Sequence, residues 1–280
     1  MFFDLLPKAG YVCAHRGARA LTPENTMLAA RQALAVAADF WEMDVQRSVD
    51  GTLIAFHDDT LGRTTDVTDR PAFASRSPWR TSQFTFDELQ LLDAGSWFVA
   101  QDPFGTIARG ELLPEEIALV RKQRIPALKE ILAFTREHDF PVNIEIKDQI
   151  HAPDDLTIVA QVLEAVRAAG AEELVLISSF NHEYLKEMRR LSPEMPLAAL
   201  VEGAHPENLV EYLKQLDVAG YHPEATIIDE ALVRDLTAQG FHVSCFTVND
   251  MEQAMSFIDA GCYAVITDYP HALRQRLLHL

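Results

Sequence analysis

Long apolar runs are missing from this chain. None approaches the roughly 18 residues of a membrane-spanning helix, and the opening MFFDLLPKAGYVCAHRG has neither the charged start nor the apolar middle of a secretory signal. Cysteine is scarce. Cys13, Cys245 and Cys262 lie far apart in sequence within apolar runs, which excludes a disulfide framework or a cysteine zinc site and suits buried thiols in a reducing compartment. The expectation is a cytoplasmic protein without stable membrane insertion. Positive charge is also short: 24 Lys and Arg against 42 Asp and Glu leave a net charge of −18. A general nucleic-acid binder needs the opposite balance, so no nucleic-acid partner is expected. An anionic substrate would be repelled at long range, and a site for one must gather local cations or a metal. There is no G-x-G-x-x-G after the first apolar run, no repeat of fixed sequence and no low-complexity linker.

What is present is a 280-residue chain with 48% hydrophobic and 24% charged residues, enough for the core of one large α/β domain. Its most informative stretch is FWEMDVQRSVDGTLIAFHDD, residues 40–59. Glu42 and Asp44 stand two apart in a β-prone run, so a strand points both carboxylates to one face. Asp50-Gly51 is a two-residue hairpin signal. With those two residues as the loop, Asp44 lies opposite His57, and directly paired Cβ atoms are about 4.5–5.5 Å apart. Acidic side chains among Phe40, Trp41, Met43 and Val45 are hard to explain as ordinary surface.

Around this stretch the apolar pattern alternates between strand and helix. Residues 11–14 read as a strand ending in His15-Arg16-Gly17, and residues 27–38 as a helix with Thr22 as N-cap and Pro23 at its first position. Residues 59–125 break the rhythm, with helical pieces only at 86–92 and 114–123, and read as an insertion capping a site within the single domain 1–280. Alternation then resumes. Strands are expected at 142–147, 174–179, 197–201, 218–221, 242–248 and 263–267, each followed by a helix; Gly170, Gly240 and Gly261 close three of these. The return through His57 must be antiparallel, because a parallel neighbour needs a crossover of a dozen or more residues. The remaining eight strands argue for a (β/α)8 (TIM) barrel with an antiparallel hairpin after strand 2; a doubly wound sheet is the alternative.

In such a barrel chemistry sits at the carboxyl ends of the strands. His15, Arg16, Glu42, Asp44, Glu145, Lys147 and Asp268 fall there, and the hairpin returns His57. Converging buried carboxylates invite a hard divalent cation, Ca2+ or Mg2+ in preference to zinc. A cation with Arg16 and Lys147 makes a compact positive site suited to a phosphate, and two histidines can move protons. Several readings stay open. Glu145 and Lys147 also fit a structural ion pair, Arg16 a clamp on Asp268, and Asn25 either a backbone partner in the first helical turn or a brace on a metal-ligating carboxylate. Asp268 fits a cap, a brace or a direct ligand. Trp97 and Phe98 suit a pocket wall slightly better than the insertion's own core. His138, His151, His182, His205, His222 and His242 lack companions at ligand spacing, and His271 and His279 belong to the last helix.

HRGARALTPENT, EMDVQRSVDGTLIAFHDDTLGRTTD, IEIK, ISSF and FTVN…GCYAVITDYP together resemble the glycerophosphodiester phosphodiesterase family, in its order and spacing over essentially the whole chain. The resemblance implies a (β/α)8 barrel that cleaves small-molecule glycerophosphodiesters to sn-glycerol 3-phosphate and an alcohol with a divalent cation, a step in glycerol and lipid metabolism. By the same resemblance Glu42, Asp44 and Glu145 match metal ligands, His15 and His57 the acid–base pair, and Arg16 and Lys147 the phosphate-binding positions. Phe246 stands where many members have Trp, keeping an apolar substrate wall without the indole N–H. Residues 110–124 run longer than the family pattern. A lysophospholipid phosphodiesterase and a non-catalytic phosphate-binding barrel are the rival readings, and a homodimer is left open.

Overall fold

The computed structural model describes residues 1–121, 123–149 and 155–279. His151 therefore lies outside the described residues, as do Lys122, inside one expected helix, and Leu280, at the end of another. Among the described residues nine strands form one sheet: β1 (Tyr11–Ala14), β2 (Phe40–Arg47), β3 (Leu53–Ala55), β4 (Val142–Ile146), β5 (Val175–Ser179), β6 (Leu197–Val201), β7 (Gly220–Pro223), β8 (His242–Cys245) and β9 (Ala264–Thr267). Their order is β1-β9-β8-β7-β6-β5-β4-β2-β3, and a parallel β1–β2 pairing, Cys13 with Phe40 and Ala14 with Trp41, closes the ring. Eight parallel strands with helices between them make a TIM barrel, and β3 alone is antiparallel. The eight expected barrel strands are all present, within one to three residues of their expected bounds.

Alternation along the strands explains the two cores. One face, with Trp41, Met43, Val45, Ile144 and Ile146, packs outward against the helices in a single large cluster. The other faces the barrel axis. Cys13, Phe40, Leu176, Ala198, Ala264 and Ile266 fill the lower interior, and Phe2 plugs it from the short helix Phe2–Leu5, edge-on to Phe40 with ring centroids 5.2 Å apart. Above that apolar plug the inward positions turn polar, beginning with Glu42 and Asn143, which pair in register.

Two local expectations need correction. The hairpin loop is three residues, not two: Val45 pairs with Ala55 and Arg47 with Leu53, so Asp44 faces Phe56 rather than His57. Gly51 at φ +84° takes the left-handed position that such a loop requires. The helix after β1 is Met27–Ala35, capped by Thr26 rather than Thr22, because the Thr26 hydroxyl accepts from the Ala29 N–H at 3.1 Å. Thr22 instead donates to the Ala18 carbonyl, and Pro23 and Asn25 lie in the preceding turn. Cys245 and Cys262 are far apart in sequence but touch in space, with sulfurs 3.7 Å apart and both thiols free.

Residues 59–125 form three 3-10 turns and the short helices Phe86–Leu89, Ser96–Gln101 and Pro114–Val120. They carry their own apolar centres. Leu61, Val67, Phe73, Phe84, Leu89 and Leu92 pack on Ile54 and Phe56 of the hairpin return. Phe98, with Trp97 against it, packs on Leu21, Leu112 and Val120. That overturns the reading of Trp97 and Phe98 as a pocket wall; full burial of a large apolar ring is worth about 1.5–3 kcal/mol, which Phe98 takes in full and the half-buried Trp97 in part. No helix among the described residues is long and apolar enough to cross a membrane.

Candidate active site

At the carboxyl ends of the strands opens a cavity of about 450 Å³, lined among others by His15, Arg16, Glu42, His57, Glu145, Lys147 and Phe246. Asp44, fully buried beneath them, completes a triad: carboxylate oxygens of Glu42, Asp44 and Glu145 lie within 4.8 Å of one another. Register explains this. Asp44 pairs with Glu145 across β2–β4, and Glu42 is two residues back on the same face. The expected site residues, drawn from β1, β2, the hairpin return, β4 and β8, are thus brought together.

Three carboxylates so close repel, and the protein answers only in part. Burial, with Asp44 and Glu145 adding, pushes the Glu42 carboxyl well up, against the pull of Arg16. Burial and Asp44 likewise raise Glu145, opposed by Lys147. For Asp44 burial also acts upward, but Arg16, His57, Lys147 and Asn25 prevail and hold it down at about 2. Glu42 Oε1 and Asp44 Oδ1 are buried without a hydrogen-bond partner among the described residues. Orphaned anionic oxygens are costly, and their convergence fits a hard cation with oxygen ligands. The residues present therefore suit a divalent metal in donor type and number.

The cations are placed around this cluster. Arg16 Nε lies 3.3 Å from Asp44 Oδ2, and Arg16 Nη1 donates to Glu24 Oε1 at 2.9 Å. Its backbone N–H donates to Glu42 Oε2 at 2.9 Å. That amide can reach because Arg16 adopts φ +53° and Gly17 φ +87°. A Cβ on Gly17 would sit 2.5 Å from the Ala29 Cβ, so only glycine lets the loop after β1 lie on its helix. Lys147 Nζ donates to Glu145 Oε1 at 2.7 Å and lies 3.7 Å from Asp44 Oδ1. Burial lowers the lysine's proton affinity, but Asp44 and Glu145 overcome it and the ammonium is retained. Arg16 is no clamp on Asp268, whose guanidinium partner is Arg19 at 3.1 Å. Asn25 does brace a carboxylate: its Nδ2 donates to Asp44 Oδ2 at 2.7 Å, while its Oδ1 accepts from the Asp44 N–H at 3.1 Å. It does so from a left-handed turn, φ +56°, not from a helix.

Both histidines are tethered through Nδ1. His15 meets Asp268 Oδ1 at 2.7 Å, and His57 meets Asp58 Oδ1 at 2.6 Å. Each ring thereby keeps Nε2 for the cavity. Burial and the Arg16 charge lower the His15 pKa despite Asp268. Asp268 is therefore a brace and not a member of the carboxylate triad. Asn249 fixes it, Nδ2 donating to Asp268 Oδ2 at 2.7 Å. His57 reaches the site although it is one residue off the expected register. Gln46, buried on β2, donates its Nε2 to the carbonyls of Phe56, His57 and Asp58 at 3.0, 2.9 and 2.9 Å. That fan of hydrogen bonds turns the chain away from β3 and presents the imidazole. Phe246 packs edge-on to Phe180 with ring centroids 5.7 Å apart, forming an apolar wall.

Sequence reasoning missed Glu24, Arg19, Asp58, Arg63, Gln46 and Asn249. Asp58 had a signal in its place beside His57, and Glu24 in an acid set between a proline and Asn25. Arg63 had none, since its partner Glu24 lies 39 positions away.

Residues 15–272 match the model of the glycerophosphoryl diester phosphodiesterase family. Similar relatives are the glycerophosphodiester phosphodiesterases of Caldanaerobacter subterraneus subsp. tengcongensis, 32% identical over 94% of this chain and 95% of that one, and of Bacillus altitudinis, 32% identical over 92% and 94%. Among solved structures, an Oleispira antarctica phosphodiesterase in complex with the product sn-glycerol-3-phosphate is 29% identical, superposes with a TM-score of 0.81, and covers 98% of each chain. By fold, by site and by match along nearly its full length, this chain belongs to the glycerophosphoryl diester phosphodiesterase family of enzymes.

Proposed function

We propose that the chain hydrolyses small glycerophosphodiesters to sn-glycerol 3-phosphate and an alcohol, with a divalent cation and the two histidines as general acid and base. One observation carries the reading. Three clustered buried carboxylates, two of them with orphaned oxygens, lie at and just beneath a cavity lined by two cationic side chains and two carboxylate-tethered imidazoles. Glu42, Asp44 and Glu145 would hold the metal, which when bound neutralises phosphate charge as it builds in the transition state. Ca2+ and Mg2+ both suit an all-carboxylate donor set.

The chain's own groups do the rest. Arg16 and Lys147 hold the non-bridging phosphate oxygens, and Phe246 walls the organic part of the substrate. His15, with Nδ1–H given to Asp268 and its proton affinity lowered, presents Nε2 as the base that takes a proton from the attacking oxygen, either water, which gives sn-glycerol 3-phosphate directly, or the glycerol 2-hydroxyl, whose cyclic phosphate water then opens. His57, with Asp58 behind it, carries the proton that the departing alkoxide receives. Residues 59–125 belong to the single domain 1–280 and shape the rim above His57.

The test is a matrix of cations and substrates on chelator-stripped protein. Mg2+ or Ca2+ should restore release of sn-glycerol 3-phosphate from glycerophosphocholine, and Glu42→Gln should abolish that restoration along with any metal-induced rise in melting temperature. Full activity in the stripped protein would overturn the metal role. Faster turnover of lysophosphatidylcholine than of glycerophosphocholine would overturn the substrate class.

A further inference from the structure

Behind the two histidines runs an unbroken chain of charged hydrogen bonds. From His15 it passes to Asp268, and Arg19 Nη1 donates to Asp268 Oδ1 at 3.1 Å. Arg19 Nε donates to Glu24 Oε2 at 3.0 Å. Arg63 then forks onto the same carboxylate, Nη1 to Oε2 at 2.9 Å and Nη2 to Oε1 at 2.6 Å. The other side of its guanidinium grips Asp58, Nε to Oδ2 at 2.6 Å and Nη2 to Oδ1 at 2.9 Å. Asp58 holds His57.

Glu24 is the middle link. Its side chain is 4% exposed, and Arg16, Arg19 and Arg63 all bond to it. Burial acts to raise its pKa, but the three arginines hold it well below the ordinary carboxylate range. Glu24, His57 and Asp58 also offer ligand atoms within 4.8 Å of one another, but the Arg63 guanidinium already bonds both carboxylates there, so no ion is called for. Arg19 joins Glu24 to Asp268 and Arg63 joins it to Asp58, while Arg16 divides its charge between Glu24 and Asp44. Removing one of these charges leaves its partners short of a counter-charge, most of all the nearly buried Glu24, and the others must shift to answer it.

We propose that Glu24 is a positioning residue that couples the two histidines, and that Arg63, supplied by the 59–125 insertion, makes the seating of that insertion felt at both. The proposal rests on the acid–base reading of His15 and His57 only where it concerns rate. Planar guanidiniums bonded on two sides transmit orientation as well as charge. A displacement of Arg63 moves Asp58 directly and moves Asp268 by way of Glu24 and Arg19.

The test uses the whole protein, 15N-labelled at histidine, with Mg2+ present. Arg63 is part-exposed, so Arg63→Met is the first variant; Arg63→Lys, which keeps the charge but cannot fork, is the second. In both, the Nδ1 resonances of His57 and His15 should shift, more in the first, although Arg63 touches neither His15 nor Asp268. A fall in kcat of about ten-fold with KM changed less than about two-fold should accompany Arg63→Met. Losses from Arg19→Met and Arg63→Met should multiply to more than the double variant shows, because both cut one chain. Shifts confined to His57, or losses that simply multiply, would overturn the coupling. Unchanged rates in His15→Ala and His57→Ala would overturn the acid–base reading instead and leave the resonance test standing.

Discussion

His15 and His57 each tie Nδ1 to a carboxylate, at 2.7 and 2.6 Å, yet the two pairs are built from opposite kinds of chain. His15 stands at the end of β1, and its partner Asp268 follows β9, the neighbouring strand across the barrel, 253 positions away in sequence. Both are nearly buried, with side chains 12% and 5% exposed. His57 and Asp58 are adjacent in sequence, sit in a turn, and are 30% and 22% exposed. Barrel closure holds the first pair; Gln46 and Arg63 hold the second. A parallel barrel is closed by ladders that cannot slide without breaking the ring, whereas a turn keeps its shape only as well as its few hydrogen bonds do.

The comparison can be broken at several depths. Truncation of either ring should cost the most: His15→Ala and His57→Ala are each expected to lower kcat by about 10²–10⁴, the usual worth of general acid–base catalysis. If one variant keeps a near-native rate in steady-state assays, the pair does not work as a pair. The carboxylates behind them should then separate the two regions. Asp268→Asn and Asp58→Asn should each lower kcat by about 10–100-fold. Only Asp268→Asn should also destabilise strongly, by about 2 kcal/mol in urea unfolding, because the nearly buried Asp268 carboxylate accepts from His15, Arg19 and Asn249, and an amide there turns an N–H2 towards those donors. Equal stability losses would show that exposure does not distinguish the sites.

The smallest effect is in acid. Burial opposes ionisation of both Asp268 and Asp58, but their histidine and arginine partners prevail and hold both well below the ordinary carboxylate value. Depressed carboxylates add stability that is complete above their unfolded pKa, near 4, and lost as pH falls through that value towards the folded one. Unfolding free energy should therefore drop by a few tenths of a kcal/mol per group between pH 6 and 4, and faster below. The Asp268→Asn protein should show a shallower slope over that range.

Particular residues show how far the chain could be read in one dimension. β2 and β4 were legible because charged side chains two apart in an apolar run, Glu42 and Asp44 in one and Glu145 and Lys147 in the other, share one face, and the eight strand–helix units counted out a barrel. Asn25 was legible only as a backbone partner or a brace, and its contacts with Asp44 from a left-handed turn chose the brace, since φ is set by the contacts on either side of it. The hairpin register was misread by one residue because loop length depends on whether Val49 pairs, and nothing local decides that. Trp97 and Phe98 were misplaced for a similar reason: two rings suit a wall or a core equally until their neighbours are known.

The sequence by itself determined the barrel, the three carboxylates and the two histidines, because each rests on short-range periodicity or on residue type at a strand end, and the family through the resemblance of motifs in order along the chain. Only the tertiary structure decided that Glu24 stands between the histidines, that Arg63 reaches back from the insertion, and that Gln46 aims His57. Those are side-chain contacts 5 to 39 positions apart, each reaching at least one segment without periodicity. Charge pairing is long-ranged and indifferent to chain order, so its partners are chosen by where the backbone has already been packed.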